Sequence, residues 1–316
     1  FTAWGFDPGH IDDIVTLMVE SDLRGIDSHG VGKIKLYEKH FHEGRINPTP
    51  KLRLVRDLPA LALVDGDNGM GHLSSKFAME TAIAKARDEG VGVVSVRHSY
   101  HIGACGIYSG MAADAGMIGM AMTGATQLTM VPTFGRMSRM ATNPIAFAAP
   151  GRRNPPFSLD MATTTVAVGK IDIARWQGKP IPEGWALDPD GRPTTDAKAA
   201  MAGTMIPLGD AKGTALALMV ELLCAGLTGA NYAWQATSFF DDKGDPPGTG
   251  QAIIAIDPDA FGAGGEERMA LMADMVAGTE GARVPGRRRQ QIRSEYLANG
   301  IPVDAELEAA IRAIGA

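Results

Sequence analysis

Cysteine is scarce: the 316-residue chain has two, Cys105 and Cys224. Two cysteines build no disulfide framework, so a reducing, cytoplasmic setting is expected. An excess of basic residues is also missing. Lys and Arg number 30 against 36 Asp and Glu, a formal charge of −6. That balance excludes the basic footprint of a nucleic-acid-binding surface but leaves room for local basic sites. No apolar run reaches the roughly 18 residues of a membrane span, and no signal peptide is legible. Internal repeats and low-complexity segments are absent. A dinucleotide fingerprint is absent as well. The glycine-rich DGDNGMGH turn has the wrong spacing and lacks the strand, GxGxxG, helix order. What is present is the composition of a globular protein, 45% hydrophobic and 21% charged, with length for one large or two ordinary domains. The chain starts at Phe1, inside what reads as the first helical region, and a few residues are expected to precede it.

Helices are predicted at both ends. From Asp7 to Asp22, an N-cap aspartate and Pro8 precede apolar residues Ile11, Ile14, Val15, Met18 and Val19, which is the spacing of one buried helix face. A second helix carries Lys33, Tyr37 and Phe41 and stops at Gly44. Two short strands (51–56 and 60–64), a helix from Leu73 to Asp88, and a fully buried strand from Val91 to Val96 follow. The stretch RHSYHIGACGIYSGMAADAG then reads as a glycine-spaced loop opening a helix that ends at Gly116. Further strands are expected at 117–123, 145–149, 157–161 and 251–256, with a helix at 164–177 and a turn at ALDPDGRP. Residues 212–227 are apolar nearly all round and predict a central buried helix. Amphipathic patterns at 266–277, 288–298 and 304–314 close the chain. The fold class is α/β, divided into a helical part and a central mixed part.

Two stretches concentrate reactive side chains. In LRGIDSHGVGKIKLY, Ser28 and His29 adjoin Gly30, and Lys33 and Tyr37 share a helix face. A hydroxyl beside an imidazole orients or relays a proton, and a lysine with a tyrosine holds an anion. A capped turn with a surface histidine is the plainer reading of the same residues. In the second stretch, Gly103 and Gly106 let the backbone approach a ligand, and a helix N-terminus offers N–H groups to an anion; close packing of strand on helix is the alternative. His98 and His101 form an H-x-x-H pair without a third ligand in register, so no metal is expected.

LRGIDSHGV, a following tyrosine and GRINPTP resemble the opening signature of the malate/L-lactate/sulfolactate dehydrogenase family. These are NAD(P)-dependent oxidoreductases unrelated in fold to the Rossmann lactate and malate dehydrogenases. The likeness continues through HIGACGIY, ATNPIAFAAP, LDMATT, IPEGWALDPDGRPTTD, IPLGDAKG and VPGR, in the family's order, over nearly the whole chain. It implies a discontinuous helical domain (1–75 and 262–316), a central NAD(P)-binding domain (76–261) of non-Rossmann topology, and a homodimer. It also implies a small anionic substrate, a 2-hydroxy or 2-oxo acid, with reduction of a cyclic imine such as piperideine- or pyrroline-2-carboxylate as the alternative.

Such chemistry needs a nicotinamide held against the substrate carbon, a proton donor or acceptor, and a cation for the carboxylate. The resemblance implies His101 and His29 for proton transfer, with His101 favoured for alcohol oxidation, Ser28 orienting His29 and Tyr37 lining the site. Lys33 stands where members usually carry arginine, which keeps the charge and loses the planar fork. Thr142 and Asn143 fall in the TNP block, where Met140 and Ala141 replace the usual leucine and glycine. Val168 and Lys170 stand where the imine reductases have histidine and aspartate, so Lys170 is expected to add positive potential near Lys33 and favour an oxo acid. The implied cofactor residues are His101, Ile102, Gly103, Ala104, Cys105, Asp160, Met161, Ala162, Lys212, Gly213, Gly286 and Arg287. Arg287–Arg289 favour NADP over NAD, since guanidinium groups grip a 2′-phosphate.

Overall fold

Asp7 caps the first helix, its carboxylate accepting the Gly9 N–H at 2.8 Å, and Pro8 begins it. The computed structural model describes residues 1–151 and 156–314. In chain order its helices and strands begin with α1 (Pro8–Leu23), α2 (Ile34–His42), β1 (Arg53–Asp57), β2 (Leu61–Asp65), α3 (Gly71–Glu89), β3 (Val91–Ser99) and α4 (Cys105–Asp114). There follow β4 (Ile118–Thr123), β5 (Ile145–Ala149), β6 (Phe157–Met161), α5 (Val168–Trp176), β7 (Ala186–Leu187), β8 (Pro193–Thr194), α6 (Ala197–Ala202) and β9 (Thr204–Met205). The last are α7 (Ala211–Glu221), β10 (Thr249–Ile256), α8 (Gly265–Ala277), α9 (Arg287–Asn299) and α10 (Ala305–Ile314).

Seven strands form one sheet in the order β1-β2-β3-β10-β4-β5-β6. Only β2 and β3 run parallel, joined by α3 as the crossover; the other neighbours are antiparallel. β10 arrives from late in the chain and inserts between β3 and β4. This mixed sheet is not the doubly wound parallel arrangement of a Rossmann domain. Ala78, Ala82 and Ala86 recur every fourth residue on α3 and are wholly buried against it. Their small side chains let the helix lie close, and at the nearest point a Cβ on Gly92 of β3 would overlap the Ala82 carbonyl.

Helices from both termini pack together: Glu20 of α1 pairs with Arg293 of α9 at 2.7 Å, and α10 packs on α2. The seven-stranded sheet takes β1 and β2 from before residue 75. A second layer went unread in the sequence. β8-β7-β9 form a small sheet, and with α5 and α6 they enclose a separate core of Val166, Ile171, Ile181, Ala186, Ala197, Ala200 and Met205.

Four local expectations need correction. Val15 is exposed, and the buried face of α1 is Ile14, Leu17, Met18, Ser21 and Asp22. β3 is not fully buried; its side chains alternate between buried and half-buried positions. The helix expected at 164–177 begins at Val168, because Thr163 N–H and Thr165 N–H are spent on Thr142 O and Ile206 O. Residues 212–227 are not buried all round. α7 passes into a π-helical turn, Leu222–Gly226, and Leu218, Met219, Leu222 and Leu227 face solvent.

Candidate active site

The turn after α1 is shaped by a carboxylate. Asp22 accepts the Val31 N–H at 2.8 Å, and its side chain occupies the space a Cβ on Gly30 would need. Burial raises the Asp22 carboxyl to about 6, helped by the nearby Asp27 and opposed by the Val31 N–H. This fixes the Ser28-His29 pair, in which Ser28 Oγ lies 2.8 Å from His29 Nδ1. Eight residues after His29, on α2, Tyr37 is buried and its hydroxyl lies 2.7 Å from Nδ1 of His101.

His101 sits in the loop between β3 and α4. Gly103, at φ +72°, turns that loop so that its own N–H donates to His101 Nδ1 at 3.3 Å. The rings of His29 and His101 are near-parallel with centroids 5.5 Å apart. The two reactive stretches of the sequence therefore meet. A third imidazole, His72 at the start of α3, is fully buried beneath Gly103, and among the described residues neither ring nitrogen has a hydrogen-bond partner. Burial lowers all three imidazoles: His29 to about 4, with Lys33 and Arg289 adding repulsion, His72 to about 3, and His101 well below its ordinary value. At neutral pH the cluster is uncharged.

The cation of the site is Lys33. Its Nζ lies 5.8 Å from the ring centroids of both Phe239 and Phe240, and burial lowers its ammonium. Among the described residues no carboxylate pairs with it. Phe239 also stacks on His101 at 4.5 Å. The segment that carries these rings is clamped by α2 and the residues after it. Arg45 donates to Ser238 O at 2.9 Å and Asp241 O at 2.5 Å, and His40 binds Tyr100 and Asp241 O. His72, Phe239 and Phe240 were missed in the sequence. A histidine after glycine at a helix start was a usable signal for His72; nothing near Phe239 or Phe240 marks them as neighbours of His101.

The remaining expected positions sit on other elements of the fold. Asn143 is fully buried at φ +31°; its amide donates to Glu221 at 2.6 Å and Ala217 O at 3.0 Å and accepts Ala125 N–H at 3.2 Å. Its side chain is thus committed to the protein interior. Thr142 is half-buried, and its carbonyl accepts from Thr163. Met140 and Ala141 are buried, Met140 bridging to Met130. Lys170 is exposed on α5, which packs on α6. His98 turns away from His101 to Asp65, 3.0 Å from Nδ1.

Of the implied cofactor residues, Ile102, Ala104 and Cys105 are buried in the loop and the first turn of α4. The Gly106 N–H of that turn is not free for an anion, because it donates to Asp160 Oδ2 at 3.0 Å. Asp160 ends β6 with Met161; burial raises its carboxyl, while the Gly106 N–H and the charges of Arg289 and Arg24 pull it down. Met161 and Ala162 are half-buried. Gly213 packs on the backbone of Leu208 and Thr163, and Gly286 on Ser158, so both glycines serve close chain contacts. Lys212 and Arg287 are exposed; Arg289 is half-buried and acts on both Asp160 and His29. Arg289 thus joins the cofactor positions to the histidine cluster.

Residues 1–312 match the family model described as malate/L-lactate dehydrogenase. The chain belongs to that family. It is 39% identical over 278 residues to the (2R)-3-sulfolactate dehydrogenase (NADP(+)) of Chromohalobacter salexigens, covering 88% of this chain and 83% of the relative. It is 34% identical over 317 residues to a Delta(1)-pyrroline-2-carboxylate reductase of Ancylobacter novellus, covering 99% and 93%. Among solved structures, the sulfolactate dehydrogenase of Methanocaldococcus jannaschii superposes with a TM-score of 0.91 at 36% identity, over 98% of this chain and 91% of that one. The family expected from the motifs is the family found, and its members are oxidoreductases that use a nicotinamide cofactor. Among the described residues no group of three His, Cys, Asp or Glu is placed to hold a metal, and no helix is long and apolar enough to cross a membrane.

Proposed function

We propose that this family member transfers a hydride between NAD(P) and a small 2-oxo or 2-hydroxy acid, with reduction of a cyclic imine carboxylate as the second reading. The observation that carries the substrate class is the half-buried ammonium of Lys33, which has no carboxylate partner among the described residues and lies beside the neutral His29 and His101. A buried cation without a counter-ion is stabilised by an anionic ligand. Lys33 therefore holds the substrate carboxylate, with Tyr37 and the Thr142-Asn143 backbone closing the site. His101 and His29 face the reacting oxygen, and Ser28 orients His29.

The dinucleotide supplies or accepts the hydride. Residues 101–105, Asp160, Met161, Ala162, Lys212, Gly213, Gly286 and Arg287 would hold it. The residues fit an anionic cofactor because the charge of Arg289 acts on both Asp160 and His29, with Arg287 and Arg288 exposed next to it in the chain. The homodimer reading is supported by the exposed Leu218, Met219, Leu222 and Leu227 on α7 and the turn after it, and a reducing cytoplasm by the two free cysteines.

The test is a substrate panel run with NADH and with NADPH. Pyruvate, oxaloacetate and longer 2-oxo acids, including 3-sulfopyruvate, are compared by kcat/KM with piperideine- and pyrroline-2-carboxylate. The best oxo acid is expected to exceed both imines; an imine ahead by tenfold or more would overturn the order of the two readings. A second expectation concerns the arginines. Arg287→Glu should weaken NADPH more than NADH, because it sets a carboxylate against a 2′-phosphate. Equal loss for both cofactors, read by fluorescence titration, would show that Arg287 does not meet that phosphate.

A further inference from the structure

Two donors converge on one nitrogen of His101. The Gly103 amide has only a hydrogen to give, and it points at Nδ1 from 3.3 Å. Nδ1 therefore presents its lone pair, so the Tyr37 hydroxyl 2.7 Å away donates to it as well. A neutral imidazole carries a single N–H, which this network assigns to Nε2. We propose that His101 meets the substrate oxygen as a neutral Nε2–H donor, its tautomer held by Gly103 and Tyr37, and does not itself take up the substrate's proton. The proposal rests on the reading of this cluster as the site of hydride transfer.

The surroundings agree with that role. Moving a proton to Nδ1 would leave the Gly103 amide without its acceptor and force the buried Tyr37 hydroxyl to turn from donor to acceptor. A charged His101 would also face His29 from the turn after α1, Lys33 ahead of α2 and His72 from α3, with no carboxylate among its electrostatic neighbours. Phe239 stacked at 4.5 Å holds the ring plane. Among the described residues Nε2 has no hydrogen-bond partner, and the residue is half-buried, so that edge of the ring is the one a ligand reaches. In the reduction, the hydride's electron pair enters the carbonyl carbon and the π pair moves onto oxygen. The Nε2–H then meets the new charge without reorganising. The proton that completes the hydroxyl comes from solvent through His29, and oxidation runs the same path backwards.

A donor is distinguishable from a base by what replaces it. Glutamine at this position still offers an N–H but accepts no proton. His101→Ala is expected to lower kcat by roughly 10² or more with cofactor affinity within a few-fold, whereas His101→Gln should stay within about tenfold of the parent. Glutamine falling as far as alanine, with NADPH binding intact, would overturn the proposal. Long-range 1H–15N spectra of histidine-labelled protein give a readout independent of turnover. His101 should show the Nε2–H tautomer and no titration between about pH 5.5 and 9. An Nδ1–H signal or a titrating ring would sink it even if His101→Gln failed to fold. A parent enzyme that turns over no member of the panel, while His101 shows the Nε2–H tautomer, would instead count against the functional reading alone.

Discussion

Lys33→Met is expected to lower kcat/KM for the best 2-oxo acid by roughly 10²-fold, about 2.7 kcal/mol, while leaving NAD(P)H affinity within a few-fold. Methionine keeps most of the stem and removes the charge, so packing against Phe239 and Phe240 survives. The effect is large because the ammonium is half-buried, has no carboxylate partner among the described residues, and sits where bulk water screens little. Most of the change should appear in KM, because a carboxylate that takes no part in the reaction is bound about equally in ground and transition states. Stability should not suffer and is expected to rise slightly, since an uncompensated buried charge is removed. Lys33→Arg should recover most of the loss by pairing with both carboxylate oxygens. A Lys33→Met variant with an unchanged KM would place the substrate anion elsewhere.

The sequence carried much of this site, for identifiable reasons. Asp7-Pro8, Gly44, Gly90 and Gly116 are local punctuation, and each marks a helix end in the structure. Ser28, His29, Lys33 and Tyr37 stand within one short stretch, so their proximity is nearly covalent. The meeting of that stretch with His101 was suggested only by the family motifs. What failed to show was long-range. Phe239 reaches His101 because Arg45 and His40 clamp residues 238–241, a contact no local pattern announces. Asn143 looked like a ligand contact because of its motif, yet its amide holds Glu221 and the backbone of α7. The exposed apolar face of α7 read as core, because composition alone does not say what covers a helix.

Acid should unfold the protein early. His29, His40, His72 and His101 all have folded values below the ordinary 6.5, at about 4, about 4, about 3 and well below, respectively, with burial the largest cause for each. The unfolded chain therefore binds more protons than the native state once the pH falls below about 6.5, and stability must decrease with pH there. The contribution is fully present above 6.5 and is lost as pH falls through 4 towards 3. Each ring adds a slope approaching about 1.4 kcal/mol per pH unit, so four rings acting together consume an ordinary stability margin within two or three units. Asp22 works against them, because a folded carboxyl at about 6 takes up a proton that the unfolded chain, at 3.8, does not. The net expectation is a urea midpoint that is flat from pH 8 to 7 and falls steeply below pH 6. His72→Phe isolates one ring. Both nitrogens of His72 lack partners, so phenylalanine loses no hydrogen bond and is expected to be at least as stable at pH 8. Its advantage over the parent should then grow as the pH falls to 5, by one proton's worth of slope. A midpoint that stays level from pH 8 to 5, or a parallel fall in the two proteins, would show that these imidazoles are not held neutral by burial.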